Sequence, residues 1–245
     1  MISLMFVRKV GSLLSQGSPL YRFAVEAKQL VIGVPKEVHP NESRVAITPD
    51  TIKRVIKKNG ASFMVESGAG ERASISDQDY ISAGASIGSV NDAFAADVVL
   101  KVRAPMENSA LNDHEVNHMK EGSTLISFLH PGQQKELVDK IKDKGITSFA
   151  MDQIPRTTRA QTFDALSSMA NTAGYKAVIM AAENFGRFFT GQMTAAGKLP
   201  PAKILVIGGG VAGLAAIATA KSLGAIVRGF DTRPAVKEQV ESLGA

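Results

Sequence analysis

The chain has no cysteine and no tryptophan, and only four histidines among its 245 residues. Without cysteine there can be no disulfide, no thiolate nucleophile and no Cys-based zinc site. The histidines, His39, His114, His118 and His130, are scattered, and only His114 and His118 have the i,i+4 spacing that puts two ligands on one helix face. The segment around that pair, LNDHEVNHMKEGS, reads as a loop, so the expectation is a wet polar face rather than a metal site. Acidic residues are missing from the first 25 positions, which hold Arg8, Lys9 and Arg22. Glu26 and Lys28 cancel, so only +2 of the formal net charge of +5 falls on residues 29–245. Basicity so concentrated at one end gives no reason to expect a nucleic-acid partner. An acid-free, Ser-containing, basic start has the composition of a mitochondrial transit peptide, the other reading being a disordered tail. The charges are not followed by the uninterrupted apolar region of a secretory signal. A membrane-length apolar run is also lacking. The longest, Ile204–Ala220, has 17 residues, four of them glycine, against the ~20 that a span needs.

What the chain does contain is a regular alternation of strand and helix signals. QLVIGVPKE opens as a short apolar strand. TPDTIKRVIKKNGA follows as a capped amphipathic helix, with Pro49 and Asp50 in its first turn, Ile52, Val55 and Ile56 on one face, and Gly60 at its end. SFMVESGAG, DVVLKVRAP, STLISFLHP and ITSFAMDQIP read as further strands, and SDQDYISAGASI and QQKELVDKIKDKG as helices. This order predicts a mostly parallel α/β sheet. A long, buried helical stretch is expected from about Thr162 to Phe188, and TGQMTAAGKLPPA reads as a linker. A strand (Lys203–Ile207), a helix (Val211–Leu223), a second strand (Ala225–Phe230) and a second helix (Pro234–Leu243) complete the chain. The expected organisation is a leader over 1–28, an α/β domain over 29–165, a connecting helix and linker over 166–202, and a dinucleotide-binding unit over 203–245.

That last unit carries a fingerprint. KILVIGGGVAGLAAIATAKSLGAIVRGFDTR contains Gly208-x-Gly210-x-x-Gly213 between an apolar strand and a helix, with Asp231 eighteen residues beyond Gly213. Gly208 permits the tight strand-to-helix turn, Gly210 lets backbone approach a pyrophosphate, and Gly213 allows close helix–strand packing. The helix N-terminus around Val211 offers N–H groups and a positive dipole to that pyrophosphate. A carboxylate at Asp231 accepts hydrogen bonds from ribose hydroxyls and repels a 2′-phosphate, which favours NAD(H) over NADP(H). Arg233 leaves the second cofactor open, because an arginine here can serve a 2′-phosphate.

What reacts with the cofactor is a separate question. His130, in FLHP at a strand end, is either a proton donor or a packed strand-end histidine. Arg44 and Lys101 are either cations that hold a carboxylate substrate or ordinary surface charges. The stretch IPRTTRAQTFDALSSMANTAGYKAV sets two arginines, a Gln and an Asp at the start of an apolar helix, where burial is costly unless their polar groups are satisfied. Read from the residues alone, Asp164 is either a helix-terminus carboxylate or part of a site.

Several long blocks together resemble one family. GVPKE…NESRVAITP, VESGAG, KVRAPM, LISFLHP, AMDQIPR, RAQTFDALSSMANTAGYKAV, GRFFTGQMTAAGKLPPAKILVIGGGVAGLAAIATAKSLGA and RGFDTRP are similar to the NAD(H)-binding domain of proton-translocating NAD(P) transhydrogenase, most of all the single-chain mitochondrial form of animals. The resemblance runs from about Leu30 to Ala245. It implies a two-lobed α/β fold, with a parallel-sheet domain and the first half of a Rossmann unit. NADH would bind in the cleft and pass hydride to NADP(H) held on a partner domain, with a membrane domain moving protons on the matrix side of the mitochondrial inner membrane. The family's mobile Arg–Gln–Asp loop and following Ser match Arg156, Gln161, Asp164 and Ser167. Gln161 and Asp164 stand at the reacting ring, and Arg156, Thr157, Thr158 and Arg159 in the NAD-contacting segment. Val211, Asp231, Thr232 and Arg233 match contacts of the dinucleotide fold. The resemblance further implies a homodimer. Alanine dehydrogenase shares the plan and uses an Arg, a Lys and a His, for which Arg44, Lys101 and His130 are counterparts. Because the family's dinucleotide domain has more strands than this chain carries, the isolated chain is expected to be unstable and to bind NADH weakly, as a non-catalytic fragment would.

Overall fold

A computed structural model describes residues 29–155 and 157–245. The expected leader and Arg156 lie outside the described residues. β1 (Val31–Val34) follows directly from the apolar VIGV run and sits mid-sheet. α1 (Pro49–Asn59) starts where Pro49 fits the first turn and stops at Gly60, which is left-handed with φ 67° and whose N–H donates to the Ile56 carbonyl. Ile52 is its fully buried anchor. β2 (Ser62–Glu66), α2 (Asp77–Ser82), β3 (Ser86–Gly88), α3 (Val90–Phe94) and β4 (Val98–Leu100) follow. α2 and α3 each begin with a Ser–Asp capping box, Ser76 with Asp79 and Ser89 with Asp92. A small antiparallel excursion, β5 (Glu107–Asn108) and β6 (Asp113–His114), precedes β7 (Thr124–Ser127), α4 (Lys135–Asp143) and β8 (Thr147–Ala150).

Six of these strands form one sheet in the order β3-β2-β1-β4-β7-β8, with every pairing parallel. The strand order reverses between β1 and β4, so the loops after those two strands diverge and leave a crevice at their C-terminal ends. One core cluster gathers Val34, Ile52, Phe63, Val65 and Tyr80, and a second gathers Phe94, Val99, Leu125, Leu137 and Ile141.

α5 (Ala165–Phe185) is a 21-residue helix, shorter at both ends than expected. A 3₁₀ turn over Gln161–Phe163 precedes it, Asp164 caps it, and Gly186 at φ 74° ends it. It is also not the buried helix its apolar content suggests: among its residues only Gly174 and Val178 are buried, while Tyr175 and Met180 are about half exposed. The stretch that reads as a linker contains a hairpin, β9 (Gln192–Thr194) and β10 (Gly197–Leu199). β11 (Lys203–Ile207), α6 (Val211–Ser222) and β12 (Ile226–Phe230) make a βαβ unit whose two strands are parallel, Lys203 facing Ile226 through Ile207 facing Phe230; α7 (Lys237–Ser242) closes it. A third core cluster of Val178, Phe189, Ile217, Ala220 and Val227 joins α5 to this unit. The two long helices meet at Gly174, where a Cβ would lie only 2.0 Å from the Ala212 carbonyl oxygen. Any side chain there forces them apart.

Candidate functional site

Three groups of polar residues lie at strand ends or helix starts. The first occupies the crevice between β1 and β4. Glu42 is buried at 4% side-chain exposure, yet it holds two half-exposed guanidinium groups. Arg44 donates from Nε to Glu42 Oε1 at 2.7 Å and from Nη2 to Oε2 at 2.6 Å, and Arg103 donates from Nε to Oε2 at 2.7 Å. The Arg44 guanidinium also touches the Met169 sulfur, tying this loop to α5. The two half-exposed guanidinium groups set positive charge at the edge of the crevice above the buried Glu42. The Arg44 hydrogen bonds, aided by Arg103 and opposed by burial, hold the Glu42 carboxyl down at about 2, against 4.5 for a free glutamate. A lowered carboxyl stabilises the fold above its unfolded value and loses that contribution as pH falls through the folded one. We therefore expect the thermal midpoint to drop between pH 4.5 and about 2, with Glu42→Gln flattening that slope; equal slopes in both proteins would contradict the role given to Glu42.

Lys101 does not belong to this edge. Its side chain is wholly buried, 3.3 Å from Glu37 Oε2 and 3.3 Å from Glu115 Oε2. A lysine so enclosed cannot hold a substrate carboxylate at the surface, and Arg103 is the cation that reaches the crevice instead. The segment expected to be a wet loop is likewise partly core: Glu115 is fully buried and His114 is buried, because Glu115 is the counter-ion Lys101 requires. Burial raises the Glu115 carboxyl above its ordinary value. His130, just beyond β7, has a left-handed backbone at φ 47°, which is uncommon outside glycine. Asp152, beyond β8, fixes it: the Leu129 and His130 N–H groups donate to its carboxylate at 2.8 and 3.1 Å, with His130 Nδ1 at 3.7 Å. The imidazole remains about half exposed. Among the described residues no group of three or more His, Asp or Glu could hold a metal ion.

The second group is the glycine turn. Gly208 has φ 102°, a conformation that other residues rarely adopt. A Cβ on Gly213 would stand 1.7 Å from the Gly208 carbonyl oxygen, so turn and helix touch through bare backbone. Gly210 stands at the N-cap position of α6 with no side-chain cap, and a Cβ there would meet nothing within 4 Å. Open space thus lies beside the N-cap of α6, where Val211 is exposed and the first-turn N–H groups have no side-chain cap. Asp231, at the end of β12, reaches across: the Gly209 N–H donates to its Oδ2 at 2.7 Å. Thr232 and Arg233 are exposed next to it. The Arg233 and Gly209 hydrogen bonds hold the Asp231 carboxyl far below the usual carboxylate range.

The third group is the stretch before α5. Thr157, Thr158, Arg159 and Gln161 are exposed, while Asp164 and Ser167 are half-buried. Asp164 accepts from the Ser167 N–H at 3.0 Å and from its hydroxyl at 2.6 Å, which makes it the N-cap of α5. From Ser167 to Gly174, where α5 crosses the first turn of α6, is about 10 Å along the helix axis. One helix therefore connects the polar stretch to the start of the dinucleotide helix.

Residues 33–173 match the N-terminal domain of the family described as alanine dehydrogenase/PNT, and residues 177–245 match its C-terminal domain. The chain belongs to this family. Within it, the chain is 56% identical over 216 residues to NAD(P) transhydrogenase subunit alpha of Haemophilus influenzae, covering 88% of this chain and 41% of that protein. The crystal structure of transhydrogenase from Sinorhizobium meliloti superposes with a TM-score of 0.82 at 47% identity, covering 88% of this chain and 60% of the other. An L-alanine dehydrogenase structure is more distant, with a TM-score of 0.76 at 29% identity, covering 87% of this chain and 58% of the other. The chain thus spans less than two thirds of the length of these relatives. The parallel-sheet α/β architecture expected from the sequence is the one these family members share.

Glu42, Arg103 and Asp152 escape a reading of the sequence. The signal for Arg103 is its place two residues past Lys101 in KVRAP, just after β4 leaves the sheet. Glu42 has Arg44 two residues on, but its second cation, Arg103, is 61 residues away, and Asp152 is 23 residues from the Leu129 N–H it accepts, so neither burial is signalled locally.

Proposed function

We propose that this chain is the NAD(H)-binding part of a proton-translocating NAD(P) transhydrogenase, passing hydride from NADH to NADP⁺. The observation that carries the reading is the dinucleotide cradle: Asp231 fastened to the Gly209 N–H beside the uncapped first turn of α6, with the Gln161–Ser167 stretch leading into the helix that crosses that turn. The donor set fits NAD(H). The uncapped first turn of α6 at Val211, beside the open space at Gly210, suits a pyrophosphate, and the Asp231 carboxylate suits a ribose diol. When bound, NAD(H) supplies the hydride at its nicotinamide C4. No general acid or base is then required. The protein must align the ring and exclude water. A carboxamide has both donors and an acceptor, so Asp164 suits it as acceptor and Ser167 as donor or acceptor. Gln161, exposed on its short turn, is assigned the contact with both cofactors, and Arg156 to Arg159 the rest of the NAD-contacting segment.

NADP(H) is held by a partner domain of the same enzyme, and proton movement belongs to a membrane domain. Among the described residues no helix is long and apolar enough to cross a membrane. The assembly is a homodimer, and the acid-free residues 1–25 support import to the mitochondrial matrix.

One observation favours a second reading, an alanine dehydrogenase-like activity: Arg44 and Arg103 converge at the crevice of the parallel sheet, where a small 2-oxo acid would find two cations. The two readings separate in one assay. NADH oxidation should depend on an NADP⁺ analogue together with the NADP(H)-binding partner domain. Alanine formation from pyruvate and ammonium would overturn this choice.

A further inference from the structure

Asp231 has no acceptor capacity left over. Its Oδ1 accepts from the Arg233 N–H at 2.8 Å and from Arg233 Nε at 3.0 Å; its Oδ2 accepts from the Gly209 N–H at 2.7 Å and from Arg233 Nη2 at 3.0 Å. Two bonds to each oxygen fill the four lone-pair sites of a carboxylate. The two backbone bonds define where the carboxylate sits. The other two come from one guanidinium, gripping it in a bidentate fork. The Arg233 side chain is 63% exposed while that of Asp231 is 10% exposed, so Arg233 lies over Asp231 as a cover. A ribose diol donating to Asp231 must take the places of Nε and Nη2.

We propose that Arg233 is a specificity gate over the adenosine-ribose site, closed on Asp231 in the free chain and displaced by the cofactor. This rests on Asp231 being the ribose acceptor, as proposed above. The gate acts in opposite directions on the two dinucleotides. For NAD(H) the fork competes with the ribose hydroxyls, so binding carries the loss of an ion pair. For a 2′-phosphorylated dinucleotide the displaced guanidinium is an asset, since a bidentate cation suits a phosphate. The groove around it supports that second role, being lined by Arg228, Arg233 and Lys237 as well as Asp231. Lys237 is only loosely engaged, 3.7 Å from Glu241 in an exposed pair. One side chain therefore weakens the preferred cofactor slightly and keeps the disfavoured one from being excluded outright.

The test titrates the 245-residue chain and its Arg233→Gln variant with NADH and with NADPH up to millimolar concentration, following ligand signals by saturation-transfer NMR. An exposed ion pair is a small barrier, so NADH should bind about three-fold more tightly to the variant. NADPH should bind several-fold more weakly, because Asp231 then meets the 2′-phosphate with no guanidinium beside it. In an Asp231→Asn background, where there is no carboxylate to cover, Arg233→Gln should no longer tighten NADH. NADH affinity that is unchanged or lower in Arg233→Gln would overturn the gate, as would NADPH affinity that does not fall. If the chain is folded by circular dichroism and neither ligand binds parent or variant at millimolar concentration, the dinucleotide reading fails and the gate with it.

Discussion

Replacing Lys101 with Met is expected to destabilise the six-stranded sheet domain by about 3–5 kcal/mol at neutral pH. The ammonium is fully buried between Glu37 and Glu115, themselves 3% and 0% exposed. Further donors assist each carboxylate: the Val102 and Arg103 backbone N–H groups on Glu37, and the Met106 backbone N–H with the Asn108 side-chain amide on Glu115. Those bonds orient the carboxylates but do not neutralise them. Methionine keeps the length of lysine and fills its space, so the loss is electrostatic rather than a cavity. Two buried negative charges without their shared cation leave the least tolerable state a core can hold. The escape is protonation of Glu115. Glu115 already sits above its ordinary value through burial, and without Lys101 it is pushed further up. A carboxyl whose folded value exceeds its unfolded one weakens the fold as pH rises through that window, so the defect should shrink on going from pH 7 towards 5. Urea unfolding of parent and variant at both values checks this. A variant within 1 kcal/mol of the parent at pH 7, or a defect that grows on acidification, would contradict the cluster as described.

The same cluster shows what a sequence does and does not disclose. The parallel sheet was legible because its strands are apolar runs separated by capped helices, and both signals are local. The glycine fingerprint was legible because Gly208, Gly210, Gly213 and Asp231 each answer a separate backbone or charge requirement at fixed spacing. The burial of Glu115 was not, since a charged residue in a polar segment looks solvated until its partner 14 residues away is known. Nor was the exchange of roles between Lys101 and Arg103: the strand ends at Leu100, and beyond it inward and outward positions no longer alternate. The hairpin within TGQMTAAGKLPPA was hidden because Gly, Thr and Pro signal turns and linkers alike. For α5 the apolar content misled. Small residues let it touch α6 at Gly174, while its larger side chains, Tyr175, Met180 and Phe185, face outward. The polar stretch ahead of it raised the right question, and the hydrogen bonds of Asp164 answer only half of it, because capping a helix accounts for the carboxylate but not for Gln161.

For the other half, the proposed function assigns chemistry. Gln161→Asn and Asp164→Asn are each expected to slow hydride transfer about 100-fold, the first because a misplacement of the order of 1 Å at the reacting centre costs that much, the second because losing one preorganised electrostatic partner has a similar cost. Asn caps helices as well as Asp does, so Asp164→Asn retains the cap on α5 and leaves the fold intact. What it loses is the charge on an oxygen that would otherwise accept from the carboxamide. Gln161→Asn keeps the amide but withdraws it by one methylene from an exposed position on a short turn. NADH binding should fall far less than the rate, because the pyrophosphate and ribose contacts at Val211 and Asp231 are untouched. The decisive measurement is the single-turnover rate of hydride transfer from NADH to an NADP⁺ analogue in the full-length enzyme, set beside the NADH dissociation constant, for parent and both variants. The account predicts a rate lowered by about two orders of magnitude with affinity within a few-fold of the parent. Parental rates in both variants would contradict it.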